Sequence, residues 1–299
     1  MGTPEFAVPS LQILVENGYN VAGVITAPDK PSGRGLQLNA SPVKQYAESK
    51  GLKVLQPEKL KNPEFLEELK ALKADVQVVV AFRMLPEAVW NMPPKGTFNL
   101  HASLLPQYRG AAPINWAIMN GEKETGVTTF FLQQEIDTGD IILQEKEIIL
   151  ESDNIGTLYE RLMQKGANLV LKTIEAIASG NVSTQAQVFG PEIKLAPKIF
   201  KETCKIDWSK TAGGVHNFIR GLSPYPAAWC VLNSKNCKIY QSQLNENIEG
   251  NVEFLTDNKT YLFIRCSDYY ISVKELQLEG KKRMGIDEFL RGTKIESVS

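Results

Sequence analysis

"NPEFLEELKALKADVQVVVAF", residues 62–82, sets two periods side by side. Phe65, Leu66, Leu69 and Leu72 recur at three and four positions, as one face of a helix requires, and Asn62 stands as its cap. From Val76 the chain is almost continuously apolar. Such a run fits a strand of a parallel sheet covered by helices on both faces. Helix followed by buried strand is the unit of a doubly wound α/β domain.

The same alternation extends in both directions. Upstream, "SLQILVENG" (10–18) has helical spacing and stops at Gly18. "NVAGVITAP" (20–28) reads as a strand. "SPVKQYAESKG" (41–51) reads as a helix with Ser41 as cap and Pro42 at its first position. "LKVLQP" (52–57) reads as a strand. Downstream, "TFNLHA" (97–102) is a strand, "APINWAIMNGE" (112–122) a helix and "GVTTFFLQ" (126–133) a strand. "DIILQEKEIIL" (140–150) suits a strand near an edge, and 154–180 a long amphipathic helix closing the domain. A doubly wound domain opens on a strand, whereas "MGTPEFAVPSL" opens on a turn and a helix. The pattern predicts one more strand upstream, about 5–6 residues long, central in a sheet ordered 3-2-1-4, without which two edges lie bare. The alternative is a fold that starts with a helix.

Residues 181–203 have little periodicity, two prolines and mixed charge, which is linker character. Beyond them "AAWCVL", "CKIYQSQL", "TYLFIRC" and "YYISVKELQL" are short alternating strands, the texture of a small all-β barrel or sandwich. The predicted division is a catalytic domain at 1–182, a linker at 183–203 and a β domain at 204–299. A chain of 299 residues suits two domains.

Composition excludes some classes. Net charge is −1, so no overall field draws the protein to nucleic acid or membrane. Residues 201–299 hold 14 Lys and Arg against 12 Asp and Glu, a local +2. No apolar run approaches the roughly 18 residues of a membrane span, and the amino terminus lacks the pattern of a secretion signal. Cys204, Cys230, Cys237 and Cys266 form no C-x-x-C pair. The expectation is reduced, mostly buried thiols in a cytoplasmic protein that is a monomer.

The two histidines are His101 and His216. His216, in "GGVHNFIRGLSP", has no acid pair near it and reads as structural. His101 ends the strand "FNLH", where open α/β sheets place ligands. Asn99, two positions earlier, shares its face. If the segment 112–122 is a crossover helix, the next strand runs parallel to "FNLH". The stretch "QQEIDTGD" then emerges on the same rim, with Asp137 and Asp140. Amide, imidazole and carboxylate together support addition to a carbonyl: Asn99 stabilises an oxyanion, His101 moves a proton, and Asp137 orients it. No Ser or Cys sits in a nucleophile pattern, and Ser103 needs a turn to reach His101, so the nucleophile belongs to the substrate. From spacing alone, a hydrogen-bonded structural histidine is the commoner reading of such a position. Two distant histidines and no Cys cluster make poor metal ligands, so no metal is expected.

"FNLHASLLPQYRGAAPINWAI" followed by "DTGD" resembles the folate-dependent formyltransferases. "MGTPEFAVPSL", "APDKPSGRGLQLNASPVK", "LQPEKL", "APKI" and "IRGLSPYPAAW" extend the resemblance over nearly the whole chain, toward the members that act on methionyl-tRNA. The resemblance implies a Rossmann-like catalytic domain and an OB-like barrel, a common nucleic-acid scaffold. It implies Asn99, His101 and Asp137 as catalytic residues and 10-formyltetrahydrofolate as formyl donor. It places Ser103, Leu104, Leu105 and Pro106 along the folate site, and Phe82, Arg83, Met84 and Leu85 at the pteridine. It assigns the loop at 29–44, with Lys30, Arg34 and Lys44, to the acceptor end of an initiator tRNA. Three alternatives stand beside this: an amino-sugar nucleotide formyltransferase, a 10-formyltetrahydrofolate hydrolase, and a non-catalytic RNA-binding module. The basic loop and "RGLSPYPAAW" favour tRNA over the sugar, and the Asn-His-Asp set argues against the last.

Overall fold

The computed structural model describes residues 1–32, 37–245, 248 and 250–299. In chain order the first elements are α1 (Val8–Glu16), β1 (Val24–Ile25), β2 (Lys30–Ser32), β3 (Gln37–Asn39), α2 (Pro42–Ser49), β4 (Val54–Leu55), α3 (Pro63–Ala71), β5 (Gln77–Val80), α4 (Glu87–Trp90) and β6 (Thr97–His101). They continue as β7 (Arg109–Gly110), α5 (Pro113–Met119), β8 (Glu124–Phe131), β9 (Ile141–Ile148), α6 (Ile155–Ser179) and β10 (Leu195–Ala196). The last are α7 (Ala212–Leu222), β11 (Ala228–Leu232), β12 (Lys235–Asn245), β13 (Phe254–Thr256), β14 (Leu262–Arg265), β15 (Tyr270–Leu278), β16 (Met284–Gly285) and α8 (Ile286–Leu290).

The caps read from sequence are made. Ser41 Oγ accepts the Lys44 N–H at 3.1 Å, and Asn62 Oδ1 accepts the Glu64 N–H at 3.1 Å. Both satisfy donors that a helix start otherwise leaves unpaired.

The chain forms two compact units that interleave in sequence. The first holds Met1–Arg109, Gly126–Glu147 and Tyr159–Lys194, and the second holds Gly110–Thr125, Ile148–Leu158 and Leu195–Ser299. The linear division at 182 and 204 thus differs from the packing, because 110–125 and 148–158 pack with the carboxy-terminal residues.

In the first unit β5, β6, β8 and β9 form one sheet in that order, and β1 pairs with β4 in another. β5–β6 and β1–β4 are parallel. Met1 and Gly2 bridge the two sheets: the Gly2 N–H donates to the Ile25 carbonyl at 3.0 Å, and the Val80 N–H to the Met1 carbonyl at 2.9 Å. The Met1 amine is buried, donates to the Val78 carbonyl at 2.6 Å, and burial pulls its pKa down to about 5. Beside this bridge lies a cavity of about 360 Å³ lined by Leu14, Gly23, Leu72, Val76, Val78 and Ile174.

Helix α6 fixes the back of the sheet. Leu162, Leu169 and Val170 are fully buried, each worth about 1.5–3 kcal/mol. Gly166 lets the helix approach β6, since a Cβ there would lie 2.7 Å from Leu100 Cδ2. The hydroxyls of Thr173 on α6 and Thr129 on β8 are 2.8 Å apart.

One expectation is overturned. β8 runs antiparallel to β6, pairing Phe98 with Phe131 and His101 with Thr128. Helix α5 is not a crossover on this sheet. It packs on α7 in the second unit, where Asn115 Nδ2 donates to the Gly221 carbonyl at 2.8 Å. The chain therefore leaves the sheet after β6 and returns in the opposite direction, so the handedness rule for parallel crossovers does not apply. Hairpin strand β9 then runs back along β8, with the Phe131 N–H on the Asp140 carbonyl at 3.0 Å.

The second unit carries an antiparallel sheet in the order β11-β12-β15-β14-β13, with β16 on β15. Its core includes Ile219, Leu222, Leu232, Ile239, Ile271 and Phe289. The four cysteines are buried free thiols. His216 Nδ1 lies 2.9 Å from Ser242 Oγ, and burial, then Arg220, lowers its pKa.

Candidate active site

Strand β6 brings Asn99 and His101 to one face, as the period of two requires. His101 is 6 % exposed. Its Nε2 lies 2.8 Å from the Tyr108 carbonyl oxygen. A carbonyl only accepts, so Nε2 carries a proton and the working nitrogen is Nδ1. Nδ1 faces Asp137 Oδ2 at 3.9 Å. That is too long for a direct hydrogen bond and leaves room for a bridging atom. Among the described residues the Asn99 amide makes no side-chain hydrogen bond, which leaves it open toward an incoming carbonyl.

Asp137 arrives here by a different route from the parallel crossover. Because β8 is antiparallel, its end lies beside Phe98, at the far end of β6. The loop 132–140 turns back from there to bring Asp137 to His101. Its backbone is unusual: Asp137 has φ 55, in the left-handed region. Gly139 passes so close to the Phe131 carbonyl that a Cβ would sit 1.7 Å from that oxygen. Asp140 is turned into the β8–β9 junction through its own carbonyl.

The stretch after His101 is a tightly bonded loop. Ser103 Oγ donates to the Gln107 carbonyl at 2.6 Å and is fully buried. Thr128 Oγ1 donates to the Ser103 carbonyl at 2.6 Å and accepts the Leu105 N–H at 3.2 Å. Gln144 Nε2 donates to the Leu105 carbonyl at 2.9 Å. Leu105 is buried, and Leu104 covers Gly126. Ser103 and Leu105 thus hold the loop's shape, while Leu104 and Pro106 are partly exposed.

In the 82–85 segment, Arg83 Nη1 donates to the Glu58 carbonyl at 2.9 Å, and Nη2 donates to that of Pro57. Arg83 also lies over the Phe82 ring. Phe82 and Leu85 pack with Ile25, Leu55 and Val79. Met84 alone is widely exposed, at 72 %.

Lys44 is engaged at home. Its Nζ lies 2.5 Å from Asp29 Oδ2, while Gln56 Nε2 donates to Asp29 Oδ1 at 2.8 Å. The Lys44 hydrogen bond is the largest cause holding the Asp29 carboxyl below its usual range, and the same bond raises Lys44. Arg34 lies outside the described residues.

Sequence reasoning missed the Tyr108 carbonyl, Thr128, Gln144 and Gln187. The first is a backbone atom with no sequence signal. The others are polar positions in strands or in a stretch with linker texture. Among the described residues no group of three or more His, Cys, Asp or Glu side chains could hold a metal ion, and no helix is long and apolar enough to cross a membrane.

The "Formyl transferase" family matches residues 1–174, and "Formyl transferase, C-terminal domain" matches 198–294. The methionyl-tRNA formyltransferase of Phocaeicola vulgatus is 57 % identical over 98 % of this chain and 94 % of its own. That of Bacteroides fragilis is 54 % identical over 98 % and 93 %. Among solved structures, WlaRD, a sugar 3N-formyl transferase in the presence of dTDP and 5-N-formyl-THF, superposes with TM-score 0.68 at 23 % identity, covering 94 % of this chain and 97 % of that one. The N-formyltransferase of Helicobacter canadensis, with folinic acid and dTDP-3-aminofucose, gives 0.69 at 24 %, covering 95 % and 97 %. Matched by the two family patterns over residues 1–174 and 198–294, and more than half identical to the Phocaeicola vulgatus and Bacteroides fragilis proteins over 98 % of its length, the chain belongs to the formyl transferase family.

Proposed function

We propose that the chain moves the formyl group of 10-formyltetrahydrofolate to the α-amine of initiator methionyl-tRNA. The chain formylates methionyl-tRNA and is a one-carbon transferase. The observation that carries the chemistry is the 3.9 Å approach of His101 Nδ1 and Asp137 Oδ2 on a face shared with Asn99.

The neutral amine attacks the formyl carbon. An α-amine with pKa near 7.7–8.0 is partly neutral at physiological pH. The Asn99 amide donates to the developing oxyanion, and His101 assists from Nδ1 once protonated. Asp137 stabilises that imidazolium and draws the amine proton through the gap between them. Collapse expels N10 of the folate, which keeps the proton balance by taking one up. Leu104 and Pro106 offer the partly exposed surface of the folate loop, with Ser103 and Leu105 behind them. Phe82, Arg83, Met84 and Leu85 form the pteridine side, with Met84 outermost. Lys30, Arg34 and Lys44 belong to the segment that meets the tRNA acceptor end, Lys44 at its base. Residues 1–182 are the catalytic part and 204–299 the tRNA-binding part of this reading, in a cytoplasmic monomer.

The test is one assay with three arms. The protein and 10-formyltetrahydrofolate are incubated with charged initiator tRNA, an amino-sugar nucleotide, or buffer alone. Folate release accelerated by the tRNA, with formyl-methionine recovered, supports the reading. Acceleration by the sugar, or equal release in buffer, replaces it with the transferase or hydrolase alternative.

A further inference from the structure

We infer that Gln187 is a positioning residue for formyl transfer, acting by holding the turn that carries Asp137; this rests on the roles given above to Asp137 and His101. Gln187 is 8 % exposed. Its Nε2 donates to two carbonyls of one turn, Asp137 at 2.9 Å and Gly139 at 2.8 Å. A primary amide has two N–H donors, and both are engaged on residues i and i+2 of the loop. Its Oε1 has no partner among the described residues. The side chain is therefore oriented by what it donates, and the loop is what it donates to.

The loop requires such a hold. Asp137 adopts a left-handed backbone at φ 55, uncommon outside glycine although aspartate enters it more readily than most residues, and a bond to its carbonyl helps to keep it there. At its base the Phe131 N–H donates to the Asp140 carbonyl and the Leu132 N–H to the Thr97 carbonyl, and within it Thr138 Oγ1 donates to the Glu135 carbonyl at 3.0 Å. Gln187 reaches the apex. A displacement of about 1 Å there changes the His101–Asp137 gap, on which proton transfer depends steeply.

Gln187 belongs to a strap that also reaches the other partner. At one end Gln185 and Ile141 exchange two backbone bonds, of 2.8 and 2.9 Å. At the other, the Tyr108 N–H donates to the Lys194 carbonyl at 2.6 Å, and the Lys194 N–H donates to Gln107 Oε1 at 2.8 Å. Tyr108 is the residue whose carbonyl holds His101 Nε2. Between these anchors the Phe189 ring lies 4.6 Å from the Arg109 guanidinium carbon. One segment, 185–194, thus ties down both loops on which the imidazole and the carboxylate depend.

The test compares Gln187→Leu, Gln187→Glu, Asp137→Ala and the Asp137→Ala/Gln187→Leu double variant, each checked for cooperative unfolding. Gln187→Leu removes both donors at similar size. It is expected to lower kcat on the order of 10²-fold, with KM for folate and tRNA within about twofold. Gln187→Glu, which sets a carboxylate against two carbonyls, reads the same quantity if the Leu variant does not fold. In the Asp137→Ala background, single-turnover rates are expected to show no further loss from Gln187→Leu. Wild-type kcat in both Gln187 variants overturns the inference, as does an equal loss in the Asp137→Ala background, which marks a merely structural part. Full activity in Asp137→Ala instead overturns the reading of the site itself.

Discussion

His101 and Asp137 stand 3.9 Å apart, Nδ1 to Oδ2, with the other imidazole nitrogen already donating to a backbone carbonyl. The pair is poised rather than bonded. Asp137→Asn keeps size and removes charge, and His101→Ala removes the proton carrier. Each is expected to cost on the order of 10²–10⁴ in turnover, with little change in folate binding. Because the two act as a unit, the double variant is expected to lose little more than the worse single one. Rapid-quench turnover with charged tRNA measures all three, and additive losses would separate the residues' roles.

Gly139 supplies a second handle on the same gap. A Cβ there would sit 1.7 Å from the Phe131 carbonyl oxygen, which cannot rotate away as a side chain would. Gly139→Ala therefore has to push the Asp137 loop outward. Turnover is expected to fall on the order of 10²-fold. Gly190→Ala, with nothing within 4 Å of its Cβ, serves as the neutral control. Amide hydrogen exchange across 132–140 checks where the change lies: faster exchange confined to that loop is expected, and exchange spread over β8 and β9 would speak against it.

Much of this molecule is legible in its sequence, and the rest has identifiable causes. Ser41 and Asn62 cap their helices because capping is local chemistry. β5 reads correctly because a strand buried on both faces needs an unbroken apolar run. The direction of β8 does not read, because helical periodicity in 113–119 is the same whether the helix covers this sheet or packs on α7. A parallel crossover would set Asp137 beside His101, but with β8 antiparallel to β6 it is a loop folding back that brings it there. Gln187 escapes notice because its partners are two backbone carbonyls far away in sequence, a relation that composition does not carry. The ion pair of Lys44 does not read either, because Asp29 stands fifteen positions earlier and the two meet only in the folded chain.

His216 gives a pH-dependence of stability apart from the active site. Burial, then Arg220, lowers its pKa in the folded protein. The folded state therefore disfavours the proton that the unfolded chain takes up below about pH 6.5. The unfolded state binds more protons in that range, so stability falls as pH drops through and below about 6.5 and is fully present above it. His216→Gln keeps a polar group near Ser242 and removes the titration. Urea unfolding from pH 5 to 8 is expected to show a wild-type slope that the variant flattens, and parallel slopes would assign the effect elsewhere.

Lys44 and Arg34 separate by their response to salt. Lys44 Nζ is 2.5 Å from Asp29 Oδ2, and Gln56 holds the other carboxylate oxygen at 2.8 Å. A cation so committed anchors the base of the hairpin and releases few counterions when RNA binds. Arg34→Ala is expected to weaken tRNA binding and reduce the slope of log K against log salt by about 0.7–0.9. Lys44→Met is expected to raise KM for tRNA with the slope unchanged and kcat intact. Asp29→Asn decides between the two roles of Lys44. If Lys44 contacts phosphate, breaking its ion pair frees the ammonium and tightens binding. If Lys44 and Asp29 together set the angle of the hairpin, Asp29→Asn weakens binding as Lys44→Met does, and the double variant is no worse than either. The paired geometry, with one carboxylate oxygen matched to Lys44 on α2 and the other to Gln56 just after β4, leads to the second outcome.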